Sequence, residues 1–152
     1  HPLRIIVEDL RSSFNVGAIF RTADCLSAEH IYLTGYTSTP HSSGTKKSSL
    51  GADENLPWSH HIEIESVISN LKNDGYEIWG LETTESASPL YDTSAPKKVA
   101  IVLGNERFGI RPETLKLCDK IVEIPTFGFK NSLNVSHCMA ICGYEITRQW
   151  NL

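Results

Sequence analysis

The sequence predicts an α/β fold, a mainly parallel sheet flanked by helices, in a single domain over residues 1–152. Three observations predict it. Short apolar runs alternate with amphipathic segments, the order in which strands and crossover helices follow one another. The run Lys98-Val99-Ala100-Ile101-Val102-Leu103 is almost continuously apolar, as a strand covered on both faces must be. And 152 residues with 40% apolar and 21% charged side chains supply one sizeable core.

The elements follow in order. Leu3 to Val7 reads as a first strand, followed by a polar turn from Asp9 to Ser13. Asn15 then reads as the cap of a helix with Val16, Ile19, Phe20 and Ala23 on one face. His30 to Thr34 is the second strand, Glu65 to Lys72 a helix stopped by Asn73-Asp74-Gly75, and Tyr76 to Leu81 the third strand. Lys98 to Leu103 is the fourth. A short helix with Pro112 in its first turn runs to Cys118, and Lys120 to Ile124 is the fifth strand, stopped by Pro125. From about Asn134 to Arg148 the apolar positions Val135, Cys138, Met139, Cys142 and Ile146 recur at helical spacing, with Trp150 beyond. Gly35 to Trp58 is rich in Gly, Pro, Ser and Thr without periodicity and reads as a long functional or mobile connection.

Composition excludes several classes. No run of 18 or more apolar residues exists, so nothing reads as a membrane-spanning helix. The start, His1-Pro2-Leu3-Arg4, reads as trimmed or processed. Cys25, Cys118, Cys138 and Cys142 form no CxxC pair, so buried, reduced thiols, no metal site and a cytoplasmic location are expected. A net charge of -4 argues against indiscriminate nucleic-acid binding while leaving local basic patches open.

Three stretches can carry chemistry. NVGAIFRTAD places Asn15 at a helix start and Arg21 nearly two turns on, which is also how a capped helix with a solvated arginine reads. LGNERFGI follows the fourth strand with a Gly-x-x-x-x-Gly bend. It lacks the Lys-Ser/Thr of a P-loop and the GxGxxG of a dinucleotide fold, but lies where α/β proteins place ligands. IPTFGFKNSLNVSHCMAI joins the fifth strand to the last helix, and both Ser132 and Asn134 suit an N-cap.

In this order and combination the stretches resemble the three motifs of the SpoU/TrmH branch of the SPOUT RNA methyltransferases. The resemblance covers most of the chain, including KKSSLGADENLPW between the first two motifs. It implies a C-terminal trefoil knot, S-adenosyl-L-methionine (SAM) as cofactor, the ribose 2'-OH of a tRNA or rRNA nucleotide as acceptor, no metal, and a homodimer with the site near the subunit interface. Matching positions imply SAM contacts at Gly104, Ile124 and Leu133, with Leu103 and, by a looser match, Thr83. They imply catalytic or site-ordering roles for Asn15, Arg21, Glu106, Ser132 and Asn134. Arg21 fits an electrostatic stabiliser and phosphate anchor better than a base, because a protonated guanidinium accepts nothing.

The chain departs from the usual pattern at Phe108, Ile110, Thr126, His137 and Cys138. Arg11, Lys46, Lys47, Arg107 and Lys130 are RNA-contact candidates, the end of the last helix with Trp150 an interface candidate, and His41, His60 and His61 default to surface or satisfied residues. The competing readings are an RNA-binding SPOUT protein without activity, a base-methylating SPOUT enzyme, and a generic nucleotide-binding enzyme. The last is disfavoured because Asp9 to Phe14 holds no glycine.

Overall fold

Strand β1 (Leu3–Glu8) lies near the middle of a seven-stranded sheet in the computed structural model, which describes residues 1–151. The other strands are β2 (His30–Thr34), β3 (Trp58–His61), β4 (Glu77–Leu81), β5 (Ser88–Pro89), β6 (Val99–Leu103) and β7 (Lys120–Glu123). The spatial order is β3-β2-β1-β6-β4-β7-β5, and every paired neighbour runs parallel. Two late strands are laid between earlier ones: β6 between β1 and β4, and β7 between β4 and β5. All five residues of β6 are buried, as its unbroken apolar run requires.

Among the described residues, six α-helices flank the sheet: α1 (Ser13–Cys25), α2 (Ser43–Ser49), α3 (Ala52–Asn55), α4 (Ile64–Asn73), α5 (Pro112–Leu115) and α6 (Val135–Trp150). The core divides in two accordingly. On one face α1 and α6 bury Val16, Ile19, Phe20, Met139, Cys142 and Ile146 against Ile5, Val7, Ile101 and Leu103. On the other, α4 buries Ile64, Val67, Ile68 and Leu71 against Ile6, Ile78, Ala100 and Val102.

The five expected strands and the helices α1, α4, α5 and α6 are present. The Gly35–Trp58 stretch is not the structureless connection its composition suggests: it forms α2, α3 and the start of β3. α2 is held by close approach instead of an apolar stripe. A Cβ at Gly17 would overlap Ser48 Oγ and lie 2.7 Å from the Thr45 carbonyl oxygen, so glycine lets α1 and α2 touch backbone to backbone. Asn15 is not the cap of α1. Ser12 is, its Oγ accepting from Asn15 N at 3.2 Å.

The thiols also differ from expectation. All four cysteines are free, but only Cys142 is buried and Cys25 is exposed. Burial pushes the Cys142 thiol up to about 12. No described group of His, Cys, Asp and Glu has metal-binding geometry, and no described helix is long and apolar enough to cross a membrane. Trp150 is committed within its own chain: its indole N–H donates to Pro96 O at 2.8 Å, and Gln149 beside it bonds Thr93 O and Ala95 N.

Candidate active site

Parallel strands carry their crossover loops to one edge, and a cleft of about 500 Å3 opens there, within the usual size of a small-molecule site. Leu81, Leu103 and Glu123 end β4, β6 and β7, and all three line it. Its walls combine Leu81, Leu103, Ile124 and Leu133 with Gly104, Thr83, Ser132 and the three polar motif residues Asn15, Glu106 and Asn134. Every expected SAM-contact position therefore faces one cavity.

The loop after β6 is folded tightly. Asn105 and Gly109 exchange both backbone hydrogen bonds, at 3.1 and 2.9 Å. A Cβ on Gly104 would overlap the backbone of Gly109 and Ile110, so the bend requires glycine. Asn105 is its staple. Its Oδ1 accepts from Arg107 N and Phe108 N, while its Nδ2 donates to Asp9 O and to Tyr36 Oη, both at 2.8 Å. Glu82, at the end of β4, accepts from Ile110 N at 3.0 Å and ties the far side. Neither Asn105 nor Glu82 stood out in the sequence. Only the Asx-turn preference of Asn before a loop hinted at Asn105, and nothing marked Glu82.

The three motifs meet in one hydrogen-bond chain. The Glu106 carboxylate accepts from Arg11 N and Ser12 N, both at 2.7 Å, and from Asn15 Nδ2 at 3.1 Å. It thereby caps the start of α1 from a distant loop, a favourable place for negative charge. A carboxylate only accepts, so Asn15 must turn its NH2 toward Glu106 and its Oδ1 away. That oxygen takes a bond from Asn134 Nδ2 at 3.2 Å, which leaves Asn134 Oδ1 to accept from Ser136 N at 2.8 Å and Ser136 Oγ at 2.6 Å. Asn134 is thus both the N-cap of α6 and a member of the chain. Burial works to raise the Glu106 carboxyl, and the amides of Arg11, Ser12 and Asn15 outweigh it, holding the group below the usual carboxylate range.

Arg21 is the motif residue this arrangement leaves out. It is exposed, does not line the cleft, and has no ion-pair partner among the described residues. With Phe14, Ala18 and Cys25 it lies on the stripe of α1 facing away from the sheet. Ser132 lines the cleft and is exposed.

Among the RNA-contact candidates, Lys46 is occupied internally, pairing with Asp53 at 2.8 Å and Glu54 at 3.0 Å. Arg107 lines the cleft, and Lys47 and Lys130 are exposed. His60 and His61 are satisfied by Gly35 O and Ser59, as expected of them. A second, smaller cleft beside β1 to β3 holds Glu8, Asp9, Glu65 and Arg111, but its main charges are consumed. Buried Glu8 accepts from Arg111 N and the Thr114 hydroxyl, and Arg111 pairs with Glu8 and Glu65.

Fold and site together define an α/β protein with a ligand cleft at the carboxyl ends of parallel strands, its mouth wired by side chains from three separated motifs. The chain belongs to the SpoU rRNA Methylase family, which it matches over residues 2–144. It is 31% identical over 98% of its length to the 23S rRNA (guanosine-2'-O-)-methyltransferase RlmB of Haemophilus ducreyi, and 33% identical over 97% to that of Neisseria meningitidis. It spans 61% and 59% of those proteins. Its fold matches an AdoMet-bound rRNA methyltransferase from Sinorhizobium meliloti with a TM-score of 0.89 at 25% identity, over 96% of this chain and 56% of that one.

Proposed function

We propose that this chain is the catalytic domain of a cytoplasmic RNA ribose 2'-O-methyltransferase that takes its methyl group from SAM. The observation that carries the reading is the Glu106–Asn15–Asn134–Ser136 chain at the mouth of the cleft, which gives the three motifs one shared purpose. Ribosomal RNA is favoured as substrate over transfer RNA because the curated relatives described above are named for 23S rRNA.

The cleft suits SAM in size and chemistry. Leu81, Leu103, Ile124 and Leu133 offer apolar walls to an adenine, and the glycine bend at Gly104 lets a ligand approach the backbone closely. When bound, SAM supplies an electrophilic methyl on a sulfonium. The protein's part is to hold an acceptor hydroxyl in line with it and to exclude water. Glu106, Asn15 and Asn134 fix the mouth through which that acceptor enters. Arg21 stabilises the developing alkoxide and anchors a neighbouring phosphate.

Arg21 stands outside its own cleft, so the reading includes a homodimer in which Arg21 of one copy serves the cleft of the other. Its support is the exposure of Arg21 on α1, together with the exposed residues His137, Tyr144 and Arg148 on α6, which packs against α1. The C-terminal trefoil knot belongs to the same reading, supported by the late insertion of β6 and β7 into the sheet and by family membership.

Mixing two inactive variants tests the arrangement. Arg21→Ala has intact clefts and Leu133→Arg has intact arginines. Equal mixing and subunit exchange restore about a quarter of wild-type transfer if Arg21 acts across the interface, since half the dimers then hold one complete site. No restoration, despite exchange, means that Arg21 acts within its own subunit or not at all.

A further inference from the structure

Phenylalanine is a costly side chain to leave in water, and this chain leaves three of them at the mouth of the cleft. Phe108, Phe127 and Phe129 are 79%, 94% and 101% exposed. They sit on the two loops that frame the cavity. Arg107 and Gly109 line it while Phe108 between them does not, and Thr126 and Asn131 line it while residues 127–130 stand clear. The rings therefore form no part of the pocket wall. They stand in solvent on segments whose neighbouring residues line the pocket.

Positive charge is interleaved with them. The Arg107 guanidinium lies over the Phe108 ring, 5.4 Å from its centroid, and Lys130 follows Phe129 directly. Glu106 precedes Arg107 on the first loop, where Arg11 N, Ser12 N and Asn15 Nδ2 engage its carboxylate, and Glu123 ends β7 before the second; residues 107–111 and 124–134, which carry the rings, hold no further acidic residue. Exposed aromatic faces beside cations are the composition that holds unpaired bases by stacking and their phosphates by charge.

Resting on the function proposed above, we infer that Phe108, Phe127 and Phe129 form a stacking platform for unpaired nucleotides flanking the modified one, so that the substrate is a single-stranded or looped RNA segment. The platform makes no hydrogen bonds to base edges, so it selects for unpaired bases without reading their sequence.

The test is fluorescence anisotropy with a labelled mixed-sequence RNA of about 12 nucleotides and with the duplex of the same length. Wild type is expected to bind the single strand at least tenfold more tightly than the duplex. Phe127→Ala/Phe129→Ala is expected to lose at least tenfold for the single strand and little for the duplex, with an unchanged salt slope. Arg107→Ala/Lys130→Ala is expected to reduce the slope of log affinity against log salt by about one to two. SAM affinity by calorimetry and the melting temperature should be unchanged in the phenylalanine variant. Wild-type binding without strand preference, or a phenylalanine variant that binds RNA as wild type does, overturns the platform. So does loss of dimer in ultracentrifugation, which makes the rings an interface, or loss of SAM affinity, which makes them a cofactor cover. Failure of wild type to bind SAM strikes the proposed function itself, a result distinct from all of these.

Discussion

Replacing Glu106 with Gln keeps the side chain's size and removes its charge and one acceptor oxygen. Three donors now meet the carboxylate: Arg11 N, Ser12 N and Asn15 Nδ2. Glutamine can serve at most two through its single oxygen, and turns its NH2 against the third, donor facing donor. Hydrogen bonds to a charged acceptor are worth about 1.5–3 kcal/mol each when sheltered. Glu106 is exposed, so screening reduces the whole loss to about 1–2 kcal/mol, or a fall in Tm of about 2–8 °C. The cost should couple to Asn15, whose amide orientation Glu106 dictates. Urea denaturation at pH 7 of wild type, Glu106→Gln, Asn15→Ala and the double variant isolates that coupling, expected at about 0.5–1.5 kcal/mol. The pH dependence has a definite sign. The folded carboxyl sits below its ordinary value, so its contribution is complete above about pH 4.3 and is lost as pH falls through the folded value. Wild type and Glu106→Gln should therefore converge in acid. Additivity within about 0.3 kcal/mol, with undiminished methyl transfer by Glu106→Gln, would refute the idea that the chain orders the site.

Other outcomes follow from the same geometry. Gly104→Ala should cost about 1–3 kcal/mol by urea denaturation and weaken SAM binding in calorimetry, because its Cβ meets the backbone of Gly109 and Ile110 and opens the loop. Gly17→Ala should cost a similar amount, with partial rescue by Ser48→Ala, which removes the nearest clashing atom but leaves the Thr45 carbonyl. His30 is pushed down to about 4 by burial first, then by Arg4 and His61. Stability should decline as pH falls from about 6.5 toward 4, by about 1–2 kcal/mol after screening, and His30→Gln should flatten that decline. A thiol reagent should modify exposed Cys25 rapidly in the native protein and reach buried Cys142 only on unfolding.

The parallel sheet was legible because strands buried on both faces must be apolar throughout, and Val99 to Leu103 announces that directly. β3 was not legible. Trp58-Ser59-His60-His61 is a polar edge strand without alternation, paired on one side only. α2 was missed for a related reason: its sequence, SGTKKSS, has no apolar stripe, and its helix is fixed by small residues packing against Gly17 and Ser13. At the site, motif order was enough to bring Asn15, Glu106 and Asn134 together across separations of 91 and 119 residues. What the sequence could not express is which partner wins a side chain. Asn15 looks like a helix cap and Lys46 like a phosphate contact, yet Glu106 takes the first, and Asp53 and Glu54 take the second. Glu82 carries no local signal at all, because its purpose exists only once β4 and the loop after β6 are neighbours.

The central claim is tested most directly by locating a labelled methyl group after transfer from SAM to RNA of cells lacking the protein, with wild type and Arg21→Ala compared. A methylated 2'-oxygen cannot attack the adjacent phosphodiester, so alkaline hydrolysis leaves dinucleotides at modified positions. Label from the wild-type reaction in alkali-resistant dinucleotides, and its loss with a folded Arg21→Ala, is the predicted result. Label recovered in mononucleotides would place the methyl on a base, and a folded, SAM-binding wild type that transfers none would contradict the account.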